Sequence, residues 1–256
     1  MDVHIIRRST VQVAYDPEPA DKRIGLIVLS TDHVFERDFA RMCPAEVAMH
    51  ATRIAYDNPT TPENLRRMQP RLAQAAALIL PDEPLDAICY GCTSASMVLG
   101  DDKVISTVHE GKPGVPVTNP ALAARLGLGA VGARRISVLT PYLPQTSVEV
   151  ARYFSDHGFE VLNLDYFGLD DDRKMARVKP SMIIAAAERA AAPQADALFI
   201  SCTAVRSAEV AGEIEARIGR PVLTSNQTSV WLTLRRAGVD TSIGDNGRLM
   251  TLPAPP

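Results

Sequence analysis

The sequence predicts an α/β protein of two similar lobes, each a doubly wound parallel sheet, related by a pseudo-two-fold axis. Three observations carry that prediction. Short aliphatic runs alternate with helix-period segments along the chain, the pattern of parallel strands joined by crossover helices. Several runs, residues 24–29 among them, are continuously apolar, as expected of strands covered on both faces. The second half also echoes the first. Asp86-Ala87-Ile88-Cys89-Tyr90-Gly91-Cys92-Thr93-Ser94 returns 110 residues later as Asp196-Ala197-Leu198-Phe199-Ile200-Ser201-Cys202-Thr203-Ala204.

Residues 1–22 are polar, carry Pro17 and Pro19, and read as an arm without a regular element. His4, Arg7 and Arg8 have no apolar segment behind them, unlike a signal peptide. Residues 24–29 form the first strand and run into Ser30-Thr31-Asp32, a loop or helix-cap cluster. Residues 47–54 are a second strand. Thr61 and Pro62 open a helix as cap and first turn, and Leu65, Met68, Leu72, Ala75, Ala76 and Ile79 continue at helical spacing. Residues 86–90 are the third strand, a helix follows Cys92, and 115–117 make a short fourth strand. The plan then repeats. A strand at 135–140 leads to a helix at 145–157 closed by Gly158. Next come a strand at 159–164, an Ala-rich helix at 175–192 and a strand at 196–200. A helix at 205–218, a strand at 221–223 and a helix at 229–237 complete the series, and 240–256 read as a loose tail. Residues 1–119 with 225–256 are expected to form one lobe, and 120–224 the other.

Composition narrows the function classes. A net charge of −3 with no long basic run argues against nucleic acid or an anionic membrane surface as partner. No apolar run reaches the roughly 18 residues of a membrane span. Four cysteines in 256 residues do not make a disulfide scaffold and suit a reducing cytoplasm. Cys89 and Cys92 spell a Cys-x-x-Cys, but Cys89 falls on the strand and no second pair completes a metal site. Gly127 to Gly132 spell a dinucleotide fingerprint with helix and strand in reversed order, so no dinucleotide is expected. The five histidines show no ligand spacing; His33 follows the first strand and reads as a solvated loop residue.

The chemistry concentrates at Cys92 and Cys202. Each is predicted at the carboxyl end of a strand and the start of a helix, so a pseudo-two-fold brings both to one cleft. A thiol at a helix N-terminus faces free N–H groups, which can lower its pKa from about 8.5 to roughly 3.5–7.5. The N–H groups of Thr93 and Ser94, or of Thr203 and Ala204, can hold a substrate carboxylate. Two facing thiols can take a proton from one face of a carbon and return it on the other, or one can add to a double bond. Cys43 and Cys89 read instead as small buried hydrophobes. Tyr142 lies 110 residues after Asp32, in the equivalent loop, and can donate to a carboxylate or enolate. One of Asp170, Asp171 and Asp172 can reach the same cleft.

Gly25-Leu26-Ile27-Val28, Gly91-Cys92-Thr93-Ser94, Leu139-Thr140-Pro141-Tyr142 and Ser201-Cys202-Thr203-Ala204 together span most of the chain. On these pieces the sequence resembles the aspartate/glutamate racemase superfamily, above all its maleate isomerase and arylmalonate decarboxylase group with the ectoine-utilisation proteins. The resemblance implies two flavodoxin-like lobes, a site between them, a small-molecule carboxylate substrate and no metal or pyridoxal phosphate. It implies Cys92 and Cys202 as the acid/base or nucleophilic pair, Tyr142 as a substrate-binding hydroxyl, and a homo-oligomer. Arylmalonate decarboxylases keep only the second cysteine; the presence of both favours isomerisation or racemisation. Asp32 and Asp172 stand where maleate isomerases carry Asn. An ionised Asp cannot donate and repels a second carboxylate, which points to an amino-acid-like substrate such as an ectoine or hydroxyectoine breakdown product. Maleate isomerisation through an adduct on Cys92, decarboxylation, and a binding protein without turnover are the alternatives.

Overall fold

The computed structural model describes residues 6–16, 20–240 and 246–253. Among them, β1 (Lys22–Leu29), β2 (Val47–Ile54), β3 (Ala87–Gly91) and β4 (Val117–Thr118) form one sheet in the order β2-β1-β3-β4. A second sheet holds β5 (Arg135–Thr140), β6 (Glu160–Tyr166), β7 (Ala197–Ile200) and β8 (Val222–Thr224) in the order β6-β5-β7-β8. Every pairing is parallel. The same order occurs twice, which is the topology that the internal echo predicts. The central strands are buried nearly throughout, β3 and β7 at every residue, so their uninterrupted apolar runs are what a doubly covered strand requires.

The helices are α1 (Phe35–Met42), α2 (Pro62–Arg66), α3 (Leu72–Ala77), α4 (Thr93–Leu99), α5 (Asp101–Gly111) and α6 (Pro120–Ala130), then α7 (Pro144–Asp156), α8 (Asp172–Met175), α9 (Pro180–Ala190), α10 (Ala211–Ile218) and α11 (Ser225–Arg236). Thr61 caps α2 as expected, accepting the Asn64 N–H at 3.3 Å. Four sequence-based boundaries are corrected. The helix expected from Thr61 to Ile79 is cut at Pro70 into α2, a 3-10 turn (Gln69–Arg71) and α3, because proline has no N–H and its ring clashes with the preceding turn. The helix expected over 175–192 begins only at Pro180, which takes the first turn of α9, and a separate short helix, α8, ends at Met175. The helix expected at 205 begins only at Ala211. α11 begins at Ser225, not 229, with Thr224 accepting the Gln227 N–H at 3.2 Å.

The tail is not loose where it is described. Leu249 and Met250 are buried, and Trp231 Nε1 donates to the Leu252 carbonyl at 2.8 Å. His4, Pro17, Pro19 and residues 241–245 and 254–256 lie outside the described residues. α11 leaves β8 and packs on β3, β4, α1 and α6, tying the second half of the chain to the first sheet. No helix among the described residues is long and apolar enough to cross a membrane.

Candidate active site

The loops after β1, β3, β5 and β7 converge on one cavity at the carboxyl ends of both sheets. Asp32, Cys92, Thr93, Ser94, Tyr142, Asp172, Cys202, Thr203 and Ala204 all line it. Sequence reasoning therefore brings together residues that the chain separates by up to 172 positions. His33 is exposed and does not line the cavity. Cys89 is fully buried within β3, away from it.

The two cysteines are held differently. Cys92 is the N-cap of α4, as predicted, with extended backbone and its carbonyl accepting the Ser96 N–H at 3.1 Å. Its Sγ lies 3.8 Å from Ser94 Oγ. Cys202 does not start a helix. It sits at φ 93°, a left-handed conformation uncommon for a residue with a side chain, and turns follow it up to Val210. α11 instead holds the backbone of this turn: the Cys202 N–H goes to Ser225 Oγ at 2.9 Å and the Thr203 carbonyl to Asn226 Nδ2 at 3.0 Å.

Neither thiol is poised as an anion, which corrects the expectation of a lowered pKa. Burial pushes Cys92 up to about 11, against a smaller opposing effect of the Ala95 N–H. Burial raises Cys202 as well, and neighbouring charge on Asp32 and Cys92 adds to it. Desolvation dominates because both residues are nearly sealed, at 4% and 6% exposure, and at Cys92 it outweighs the helix terminus. The cavity has about 20 Å³, room for roughly one water. A thiolate formed here is a stronger base than an exposed one, which suits abstraction of a weakly acidic C–H.

The segment after β2 borders the cavity and is clasped to the second half of the chain. Asn58 Nδ2 donates to Asp172 Oδ1 at 2.9 Å and to Asp171 Oδ1 at 3.2 Å. The Thr60 N–H reaches the Asp170 carbonyl at 2.8 Å, and Thr146 Oγ1 donates to the Thr60 carbonyl at 2.8 Å. Of the three adjacent aspartates, Asp170 and Asp171 pair with Lys174 and Arg173 at the surface, and only Asp172 lines the cavity. Thr31 Oγ1 donates to its other oxygen.

Asp32 is 4% exposed. Its Oδ1 accepts the Val34 and Phe35 N–H groups at 2.7 and 2.8 Å, holding the entry to α1. Its Oδ2 has no hydrogen-bond partner. Burial, the largest cause, raises its pKa against those two N–H groups, and Asp172 adds to the rise. The Tyr142 hydroxyl is buried 3.3 Å from Ser201 Oγ. No Lys, Arg or His is among the described residues lining the cavity.

The chain matches the arylmalonate decarboxylase family over residues 24–250. The chain belongs to this family. The maleate isomerase of Nocardia farcinica is 28% identical over 241 residues, covering 90% of this chain and 95% of that protein. That of Alcaligenes faecalis is 25% identical over 245 residues, covering 90% and 96%. A solved structure of the Nocardia farcinica maleate cis-trans isomerase, a cysteine-to-serine mutant with a covalently bound succinylcysteine intermediate, superposes with a TM-score of 0.83 at 26% identity, covering 90% of this chain and 98% of that one. The relatives include isomerases as well as decarboxylases, and the two-sheet α/β architecture is common to them.

Sequence reasoning missed several residues of this cavity and its surroundings. Leu29, Tyr56, Thr60 and Met175 also line the cavity. The Tyr56 hydroxyl donates to Thr60 Oγ1 at 2.6 Å, and Met175 Sδ lies 3.8 Å from Cys202 Sγ. Tyr56 follows the carboxyl end of β2, so the rule that finds Asp32 and Tyr142 finds it too. Ser225, to which Thr93 Oγ1 donates at 2.8 Å, and Asn226 carry one signal in the sequence, the echo of residues 116–119 by residues 221–226, which does not point to these contacts.

Proposed function

We propose that the protein is a cofactor-independent isomerase of a small, amino-acid-like carboxylate, with Cys92 and Cys202 acting from opposite faces of the reacting carbon. The observation that carries the reading is one cavity lined by two thiols and two buried carboxylates, Asp32 and Asp172. One thiolate removes a proton from Cα and the opposite thiol returns one. The backbone N–H groups of Thr93, Ser94, Thr203 and Ala204 and the Tyr142 hydroxyl receive the substrate carboxylate. A cationic nitrogen on the substrate offsets Asp32 and Asp172, which would repel a second carboxylate. Ectoine or hydroxyectoine breakdown products have this character. In this reading residues 1–119 with 225–256 supply one wall of the cleft and 120–224 the other.

A second reading is maleate cis-trans isomerisation through an adduct on Cys92, supported by the succinylcysteine intermediate of the Nocardia relative. Incubation of the purified protein with maleate and with single enantiomers of amino-acid derivatives distinguishes the two. Rapid fumarate formation with no action on the amino acids overturns the charge argument. Binding of an amino-acid derivative without turnover marks a small-molecule-binding protein instead.

A further inference from the structure

The strained turn at Cys202 is held from outside the cavity. Asn226 Nδ2 donates to the Thr203 carbonyl at 3.0 Å and to Asp38 Oδ2, on α1, at 2.7 Å. A carbonyl and a carboxylate can only accept, so the nitrogen of the Asn226 amide must face both and its orientation is fixed. Asp38 is 1% exposed and Asn226 0%, and neither lines the cavity. A buried carboxylate is costly; this one accepts a hydrogen bond from the Asn226 amide, and the Arg41 guanidinium lies 3.8 Å from its other oxygen. α1 thereby carries two acidic anchors: Asp32 at its entry, facing the cavity, and Asp38 one turn on, facing the Cys202 turn.

We propose that Asp38 and Asn226 are positioning residues for Cys202: the Asp38 carboxylate holds the Asn226 amide, which holds the Thr203 carbonyl and keeps the Cys202 thiol directed into the cavity. Cys92, capped by its own helix, does not depend on them. The significance for turnover rests on Cys202 acting in the proposed reaction; the positioning itself does not.

The test is competitive labelling. Asn226→Ala, Asp38→Ala and Asp38→Asn are treated with iodoacetamide, and alkylation of Cys92 and Cys202 is followed by peptide mass spectrometry. The ratio of the Cys202 rate to the Cys92 rate is expected to rise about tenfold in both alanine variants, as the released turn exposes one thiol only. Asp38→Asn, whose side-chain carbonyl accepts the same Asn226 N–H, is expected to keep the wild-type ratio. An unchanged ratio in the alanine variants, or equal acceleration at both cysteines, overturns the proposal. If Asn226→Ala does not fold, the Asp38→Ala and Asp38→Asn pair decides alone, since it removes only the outer link. With a turned-over substrate, kcat is expected to fall while KM changes less than twofold. Loss of the labelling effect refutes positioning, whereas a labelling effect with unchanged kcat refutes the catalytic role of Cys202.

Discussion

Replacing Asp32 by Asn changes one atom of the cavity wall and leaves the scaffold in place. The side-chain carbonyl still accepts the Val34 and Phe35 N–H groups now held by Oδ1. The amide nitrogen takes the place of Oδ2, the oxygen without a partner, and turns an acceptor into a donor. A hydrogen bond to a charged group contributes about 1.5–3 kcal/mol. Its loss is expected to lower kcat/KM for a cationic, amino-acid-like substrate by roughly 10- to 150-fold. A dicarboxylate should bind better. The same substitution has a stability signature. The folded protein holds the Asp32 proton more tightly than the unfolded chain, because burial raises its pKa. Wild-type stability therefore falls as pH rises from the ordinary carboxyl value of 3.8 through the raised folded one. Asp32→Asn lacks that titration, so it gains on the wild type above that window and loses the advantage below it. Steady-state kinetics on both substrate classes and urea unfolding at several pH values measure the two effects. An unchanged substrate preference, or a variant less stable at neutral than at acid pH relative to wild type, refutes the account of Asp32.

Asn58→Ala removes three hydrogen bonds that clasp the segment after β2 to Asp171 and Asp172 and is expected to speed iodoacetamide labelling of Cys92 and Cys202 together, by about 5- to 150-fold if about 1–3 kcal/mol of closure is lost; labelling of one cysteine alone would count against the clasp. Alkylation of Cys92 in the wild type is expected to climb with pH through 9 towards its value of about 11, and a plateau near neutrality would show a thiolate that burial does not suppress. Gly91→Ala places a Cβ 2.5 Å from Phe35 ring carbons, beside the carbonyl that accepts from Thr203 Oγ1 at 3.3 Å. Overpacking of this kind costs about 1–3 kcal/mol, read as a lower Tm by thermal unfolding; an unchanged Tm contradicts it.

The sheets and the cavity were legible for related reasons. Strands buried on both faces announce themselves as unbroken apolar runs, and the loop at the carboxyl end of each central strand must face the cleft. That logic leads to Asp32, Cys92, Tyr142 and Cys202 without any knowledge of contacts. It fails where long-range polar bonds outrank local pattern. Residues 205–210 have helical spacing, yet Ser225 and Asn226 bind the backbone just before them and no helix forms. Ser225, Asn226, Gln227 and Thr228 look like a loop and are buried helix: Ser225 and Asn226 find partners in the first half of the chain, Thr93 and Asp38, while Gln227 reaches the Asn246 carbonyl and Thr228 bonds back to its own preceding turn. The state of the thiols was misjudged for a different reason. A helix start is visible in sequence, but the depth at which it lies is not, and depth decides the pKa.

The central claim is that two opposed thiols share one substrate carbon. Its most direct test is incubation of a single enantiomer of a turned-over amino-acid-like carboxylate in deuterated water, with wild type, Cys92→Ala and Cys202→Ala. The account predicts that wild type interconverts the enantiomers with deuterium entering at Cα, and that each variant loses interconversion while keeping exchange from one face at most. Full interconversion by either single variant, or interconversion without solvent deuterium, contradicts it.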